Sequence, residues 1–265
     1  MLAFVHMEKT AGQTVRAILR KNFGTRHCDF LVNREARTSD WEWVRKCYPR
    51  LESVGGHSVM PYGEFDRIFQ NVRYFTYLRD PIKRCLSHYQ YIIDCKAAVD
   101  EFPKWILTQR NYQTRFLCGE ENADRAIEIL QQKIGMVGLV ERFNESLLLW
   151  KRWTGCPRLD VTYRSVNVAQ SNRLKQQLLS EQRNRELLEE CHVEDLKLFR
   201  YVIEEVYPRQ QREYGDSLGS DLEDFERKLS TASNWTFRGL LGKAKRNLIF
   251  RPGVRDWEAD LKKAG

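Results

Sequence analysis

The chain has 265 residues, long enough for one large domain or two small ones and for a sizeable buried core. Apolar residues make up 42% and charged residues 30%, the balance of an ordinary globular chain, which sets disorder aside for most of it. Lys and Arg exceed Asp and Glu by 44 to 36, and the resulting +8 suits polyanionic partners without singling one out.

Residues 2–7, LAFVHM, read as a short buried strand, followed by a loop at 8–12 and a helix from about 13 to 22. RYFTYL at 73–78 is a second strand, rich in aromatic and β-favouring residues. Asp80 and Pro81 then form a helix start, with Asp as N-cap and Pro at the first helical position. A third strand is predicted at 135–140, GMVGLV, and after it Phe143, Leu147 and Trp150 recur at helical spacing. Leu196, Phe199, Ile203 and Val206 mark another amphipathic helix that should end before Pro208. Strands separated by helices predict an α/β fold with a mostly parallel central sheet flanked by helices. Residues 1–215 are expected to form the main domain. Residues 216–265 are expected to be a linker, a short helix and a basic extension, packed on that domain or trailing from it. The basic run GKAKRNLIFR reads as a solvated, peripheral appendage.

The seven cysteines, at 28, 47, 85, 95, 118, 156 and 191, include no C-x-x-C pair and leave an odd one out. That pattern points away from a zinc site and a dense disulfide framework, and towards free, mostly buried thiols in a reducing compartment. No apolar run approaches the ~20 residues that cross a bilayer, and no signal peptide pattern precedes the first strand. A cytoplasmic protein without a membrane span is the expectation, or the soluble part of an anchored one.

The loop after the first strand bears the first chemical signal. HMEKTAGQT, residues 6–14, leaves a strand and opens a helix, so its backbone N–H groups converge where the helix dipole adds positive potential. Ala11 and Gly12 are small enough for an anion to approach the backbone, Lys9 supplies a full charge, and Thr10 and Thr14 supply hydroxyl donors. Lys9 precedes the small residues, the reverse of the G-x-x-x-x-G-K-[ST] order of nucleoside triphosphate loops. A second signal is YLRDPIKRCLS, which sets Arg79 at a strand end and Ser87 two turns into the next helix, a guanidinium and a hydroxyl for a terminal phosphate. The plainer readings are a simple strand-to-helix turn, an Arg79 paired to a carboxylate, and a surface Ser87. Two anion sites at strand ends fit a nucleotide phosphorylated at both ends.

Together these stretches resemble the sulfotransferases that use 3′-phosphoadenosine 5′-phosphosulfate, and among them the heparan sulfate 2-O- and 6-O-sulfotransferase group and its bacterial relatives. HMEKTAGQT is similar to that group's 5′-phosphosulfate loop and RDPIKRCLS to its 3′-phosphate element. GGHSVMPYG (55–63), NYQTRFLCG (111–119) and VGLVERFNESL (137–147) also look like the group, and the resemblance covers about residues 2–155. Glu8 departs from it, placing a carboxylate beside the anion loop, and the animal relatives are anchored Golgi proteins. The resemblance implies a P-loop-kinase-like sulfotransferase fold and sulfuryl transfer to an acceptor hydroxyl, a saccharide first among the candidates.

On that resemblance His57 is the general base, since a neutral imidazole accepts a proton near physiological pH. Lys9 clamps the developing charge on the bridging and sulfuryl oxygens. Thr10, Ala11, Gly12, Gln13 and Thr14 cradle the 5′ end, and Arg79 and Ser87 recognise the 3′-phosphate. No metal is required. Among the other histidines, His6 reads as structural, His88 as flanking the site, and His27 and His192 as surface residues. Gln113 and Arg115 either face the acceptor or belong to a core-packing helix. The acceptor pocket is expected from residues 90–130 and 155–215. Two further readings are a nucleotide or small-molecule kinase, against which the missing G-K-[ST] stands, and a non-catalytic polyanion binder. No nucleic-acid module is present, so nucleic acid is not an expected partner.

Overall fold

The computed structural model describes residues 1–30, 36–164, 173–229 and 236–252. Strand β1 (Leu2–Val5) runs into helix α1 (Gly12–Phe23), a single 3₁₀ turn and strand β2 (His27–Asp29). Helix α2 (Thr38–Cys47) leads to β3 (Ser53–Gly56), and the one-turn α3 (Phe65–Ile68) leads to β4 (Arg73–Leu78). Then come α4 (Pro81–Asp94), α5 (Phe102–Trp105), α6 (Tyr112–Cys118), α7 (Ala123–Gln132), β5 (Ile134–Leu139) and α8 (Phe143–Thr154). The C-terminal half is helical: α9 (Arg173–Ser180), α10 (Gln182–Glu190), α11 (Val193–Tyr201), α12 (Tyr207–Tyr214), α13 (Leu218–Leu229) and α14 (Phe237–Lys245).

The five strands form one sheet in the order β2-β3-β1-β4-β5, and every pairing is parallel. β1 is central and all four of its residues are buried, as befits a strand covered on both faces. Its register sets Val5 opposite both Gly56 and Thr76, so the carboxyl ends of β1, β3 and β4 lie side by side. The chain leaves β1 towards β2 on one side and β4 towards β5 on the other. That divergence opens a crevice above the carboxyl ends, where ligands of open α/β sheets bind. Phe4, Phe75 and Trp150 stack across one face at 5.0 and 4.9 Å. Phe30 and Trp41 pack at 4.2 Å under α2.

The α/β architecture and its parallel sheet are as predicted, and the strand at 73–78 and the Asp80–Pro81 helix start coincide with their predicted positions. Asp80 accepts a hydrogen bond from the Lys83 backbone N–H. β2 and β3 were not predicted. HCD is too short to show alternation, and SVGG reads as a turn. Its glycines serve close packing, because a Cβ on Gly56 would stand 1.7 Å from the Phe30 carbonyl oxygen.

Three further expectations are corrected. The helix after Leu196 does not end at Pro208. A π turn (Val202–Val206) precedes the proline and accommodates the missing N–H, and helix resumes to Tyr214. The wider turn also carries Ile203 to the surface, where it is 45% exposed, and buries Val202 in its place. Residues 215–228 are not chiefly a linker, since α13 occupies most of them and buries Phe225. Nor is the basic run a peripheral appendage. α14 packs on α1, Arg246 donates to Asp29, and Phe250 joins the core beside Phe30 and Tyr48. All seven cysteines are free, but only Cys28, Cys85 and Cys191 are buried. No described helix is long and apolar enough to cross a membrane.

Candidate functional site

A cleft of about 450 Å³ opens above the carboxyl ends of β1, β3, β4 and β5. Its floor is the loop between β1 and α1. Lys9 and Ala11 both hold positive φ, 65° and 62°, with Thr10 of ordinary sign between them. Left-handed backbone at non-glycine residues is strained and concentrates at functional sites. Alternating φ signs turn successive N–H groups into one concavity, an anion-binding arrangement. Helix α1 adds to it. Ala11 at its N-cap offers no side chain to cap the first N–H groups, and its first turn holds no acidic residue.

Gly12 is needed for a different reason. A Cβ there would fall 1.6 Å from Nε2 of His6, whose ring lies against the start of α1. That ring stacks on Phe4 at 5.2 Å and on His57 at 4.2 Å. His57 follows β3 directly, and its Nδ1–H donates to the His6 carbonyl at 2.8 Å. The hydrogen bond fixes the tautomer and leaves Nε2 unprotonated, with no partner among the described residues, on a residue that lines the cleft. Burial lowers the His57 pKa, and the Glu8 carboxylate only partly opposes it, so the ring is neutral at pH 7. The geometry is that of a poised base.

Arg79 closes the other side, directly after β4. Its guanidinium donates to the Lys9 carbonyl at 3.2 Å, while Nε is buried without a partner. No described carboxylate lies within ion-pair distance of it. Asp80 is occupied as the α4 cap, and Glu141 accepts the Asp80 backbone N–H. Burial lowers the Arg79 pKa, with Glu141 and Asp80 opposing. Gln113 fixes the backbone here, accepting from Arg79 N at 3.0 Å and donating to Arg79 O at 2.8 Å. Lys9 rests its ammonium 4.3 Å from the Tyr91 ring centroid, and burial beside Arg79 lowers its pKa. Two half-buried cations and a bare helix end face one space, an arrangement that can hold an anion.

Of the residues predicted from sequence, Lys9, Ala11, Gly12, Gln13, Thr14, His57, Arg79 and Ser87 all line this cleft. Thr10 does not. Its side chain is fully buried and its hydroxyl donates to the Met7 carbonyl, holding the loop rather than facing a ligand. Gln113 and Arg115 belong to the packing alternative, because Gln113 is buried and Arg115 donates to the Thr108 carbonyl. His27 and His192 are not surface residues but are almost wholly buried.

The cleft also gathers Glu8 and His88, which the sequence placed beside the site, and His6, Tyr91, Phe143 and Tyr163, which sequence reasoning had set aside or missed. His88 stands one residue beyond Ser87 and meets Glu8 at 3.3 Å. Burial lowers its pKa while Glu8 raises it. Glu8, the departure from the resembling loop, is thus the one carboxylate lining the cleft among the described residues and is engaged by an imidazole. Phe143 and Tyr163 pack edge to face at 5.2 Å and form an aromatic wall. A strand-end position was the available signal for His6, and nothing local pointed to Tyr163.

The chain matches no protein-family model and no curated protein. What the cleft does is therefore a question for its own chemistry. A volume of about 450 Å³ suits a nucleotide-sized ligand, and the lining offers cations, backbone donors, three imidazoles and aromatic faces. Such a lining can bind a polyanion and remove a proton beside it.

Proposed function

We propose that the chain is a sulfotransferase that moves a sulfuryl group from 3′-phosphoadenosine 5′-phosphosulfate to an acceptor hydroxyl, with a saccharide as the preferred acceptor class. One observation carries the reading. The bare start of α1, the Arg79 guanidinium that no described carboxylate pairs with, and the unprotonated Nε2 of His57 share a single cleft. The residues fit the donor: the loop from Lys9 to Thr14 would hold the 5′ end, Arg79 and Ser87 the 3′-phosphate, and Phe143 and Tyr163 offer aromatic faces to the base.

The phosphosulfate anhydride supplies an already activated sulfuryl group. His57 Nε2 takes the proton of the acceptor hydroxyl as the new O–S bond forms, while the S–O bond to phosphate breaks. Its Nδ1–H, held by the His6 carbonyl, keeps the ring in the receiving tautomer. A base so placed supplies roughly 10²–10⁴-fold. Lys9 and the α1 amides meet the charge that develops on the departing phosphate, without reorganising to do so.

The reading is tested by thermal unfolding with adenosine 3′,5′-bisphosphate in the absence of magnesium. At a hundredfold excess over Kd the midpoint should rise by roughly 5–10 °C, with a much smaller shift from ATP. Stabilisation by magnesium-ATP but not by the bisphosphate would overturn it.

A further inference from the structure

Helix α14 is mounted with its small and polar side inward. Gly242 lies against the turn that follows α1, so tightly that a Cβ would stand 2.4 Å from the Gly24 carbonyl oxygen. Gly239 sits beside the Arg20 carbonyl, and Arg246 reaches in to Asp29. The opposite side carries Phe237, Leu240, Leu241, Ala244 and Leu248, at the i, i+3, i+4, i+7, i+11 spacing of one helical stripe. Phe237 is 75% exposed and Leu248 76%, with Ile249 beside it. Five of the twelve large apolar residues exposed among the described ones fall between 237 and 249. An amphipathic helix normally buries such a stripe, and here it faces outward.

Charge decides what would cover it. Residues 236–252 hold five cations, Arg238, Lys243, Lys245, Arg246 and Arg251, and no Asp or Glu. Arg238, Lys243 and Arg251 are exposed. Two copies meeting through this face would bring its cations together, with no carboxylate of residues 236–252 between them. Nucleic acid would neutralise the cations but leave the leucines and phenylalanine without apolar contact. An apolar stripe flanked by cations matches one surface in both respects, the interface of an anionic bilayer.

We propose that α14 and the π turn after it (Arg246–Phe250) form a peripheral docking face for anionic lipid, with the stripe entering the headgroup boundary and Arg238 and Arg251 meeting lipid phosphates. The face stands at the Gly24 end of α1, whereas the cleft loop stands at its other end. The twelve residues of α1 span about 18 Å, so the docked protein keeps its cleft open to solvent. The inference does not depend on the reaction proposed above.

The test is cosedimentation of the full chain with phosphatidylcholine vesicles, with and without about one-third phosphatidylserine. Binding should be at least about tenfold tighter to the anionic vesicles and should weaken as salt rises. The double variant Leu241→Glu/Leu248→Glu should lose it at an unchanged thermal midpoint, and Arg238→Glu/Arg251→Glu should weaken it about tenfold. No binding to anionic vesicles, or equal binding to neutral ones, overturns the proposal. So does a dimer, seen by sedimentation equilibrium, that the leucine pair abolishes while the chain ignores vesicles.

Discussion

Two sets of buried or half-buried cations flank helix α1, and they differ in one respect. Behind the helix, Arg16, Arg20 and Arg246 converge on Asp29 at 2.8, 2.8 and 3.1 Å, and His27 joins them at 3.1 Å. Their charge is answered inside the protein. In the cleft, Arg79 keeps a buried Nε without a partner and Lys9 has only an aromatic face. A buried cation answered by a carboxylate stabilises the fold, whereas one left unanswered stores affinity for an anion that arrives later. The difference distinguishes the two sides of α1, but an unanswered guanidinium does not by itself mark the cleft, since Arg84 is fully buried with two unpartnered nitrogens and does not line it.

The hardest test of the scaffold side is Asp29→Ala, which leaves the buried Arg16 and the half-buried Arg20 and Arg246 without their carboxylate. It should destabilise the protein by about 3–5 kcal/mol, read as a lowered urea midpoint. A variant as stable as the parent would mean the cluster is not the anchor described.

On the cleft side, His57→Ala should cost 10²–10⁴ in kcat while leaving bisphosphate affinity within about twofold. A large loss of nucleotide affinity would make His57 structural. Arg79→Ala should behave oppositely to Asp29→Ala. Bisphosphate Kd should rise by about one to two powers of ten, yet the apo protein should be no less stable than the parent by more than about 0.5 kcal/mol. Unchanged affinity would remove Arg79 from the site.

The smallest effect expected is on pH dependence. His6, His27, His57 and His192 all have pKa values below the ordinary 6.5, with burial the leading cause in each. The unfolded chain therefore takes up protons first as pH falls. Their contribution is complete above about pH 6.5 and declines below it, so the urea midpoint should fall between pH 7.5 and 5.5. Asp29 acts in a separate window. Burial alone would raise its pKa, but His27 and the arginines hold it well below the usual value. Its share should persist down to about pH 4 and fade only beneath that. A midpoint that does not move from 7.5 to 5.5 would show that the buried imidazoles are not held neutral.

Local signals in the chain were legible where one segment carried the whole message. The strand at 73–78, the Asp80 cap and the small-residue loop with its lysine each depend on neighbours in sequence. Reading failed where a partner lay far away. His6 looked structural because its cleft role depends on stacking with His57, brought alongside by parallel pairing of β1 and β3. Thr10 looked like a ligand donor, and only the curl of the loop turned its hydroxyl to Met7.

The amino-acid order by itself determined the alternation of strands and helices and the anion-seeking character of the loop, because propensity, capping and backbone freedom act within a few residues. Tertiary structure alone decided which side chains meet. Strand order set Arg79 beside Lys9, buried His27 and His192, and drew Asp29 together with Arg16, Arg20 and Arg246 from three separate elements. It also turned the basic C-terminal run from a presumed tail into a packed helix, because its two glycines fit a groove that exists only once α1 and its turn have formed.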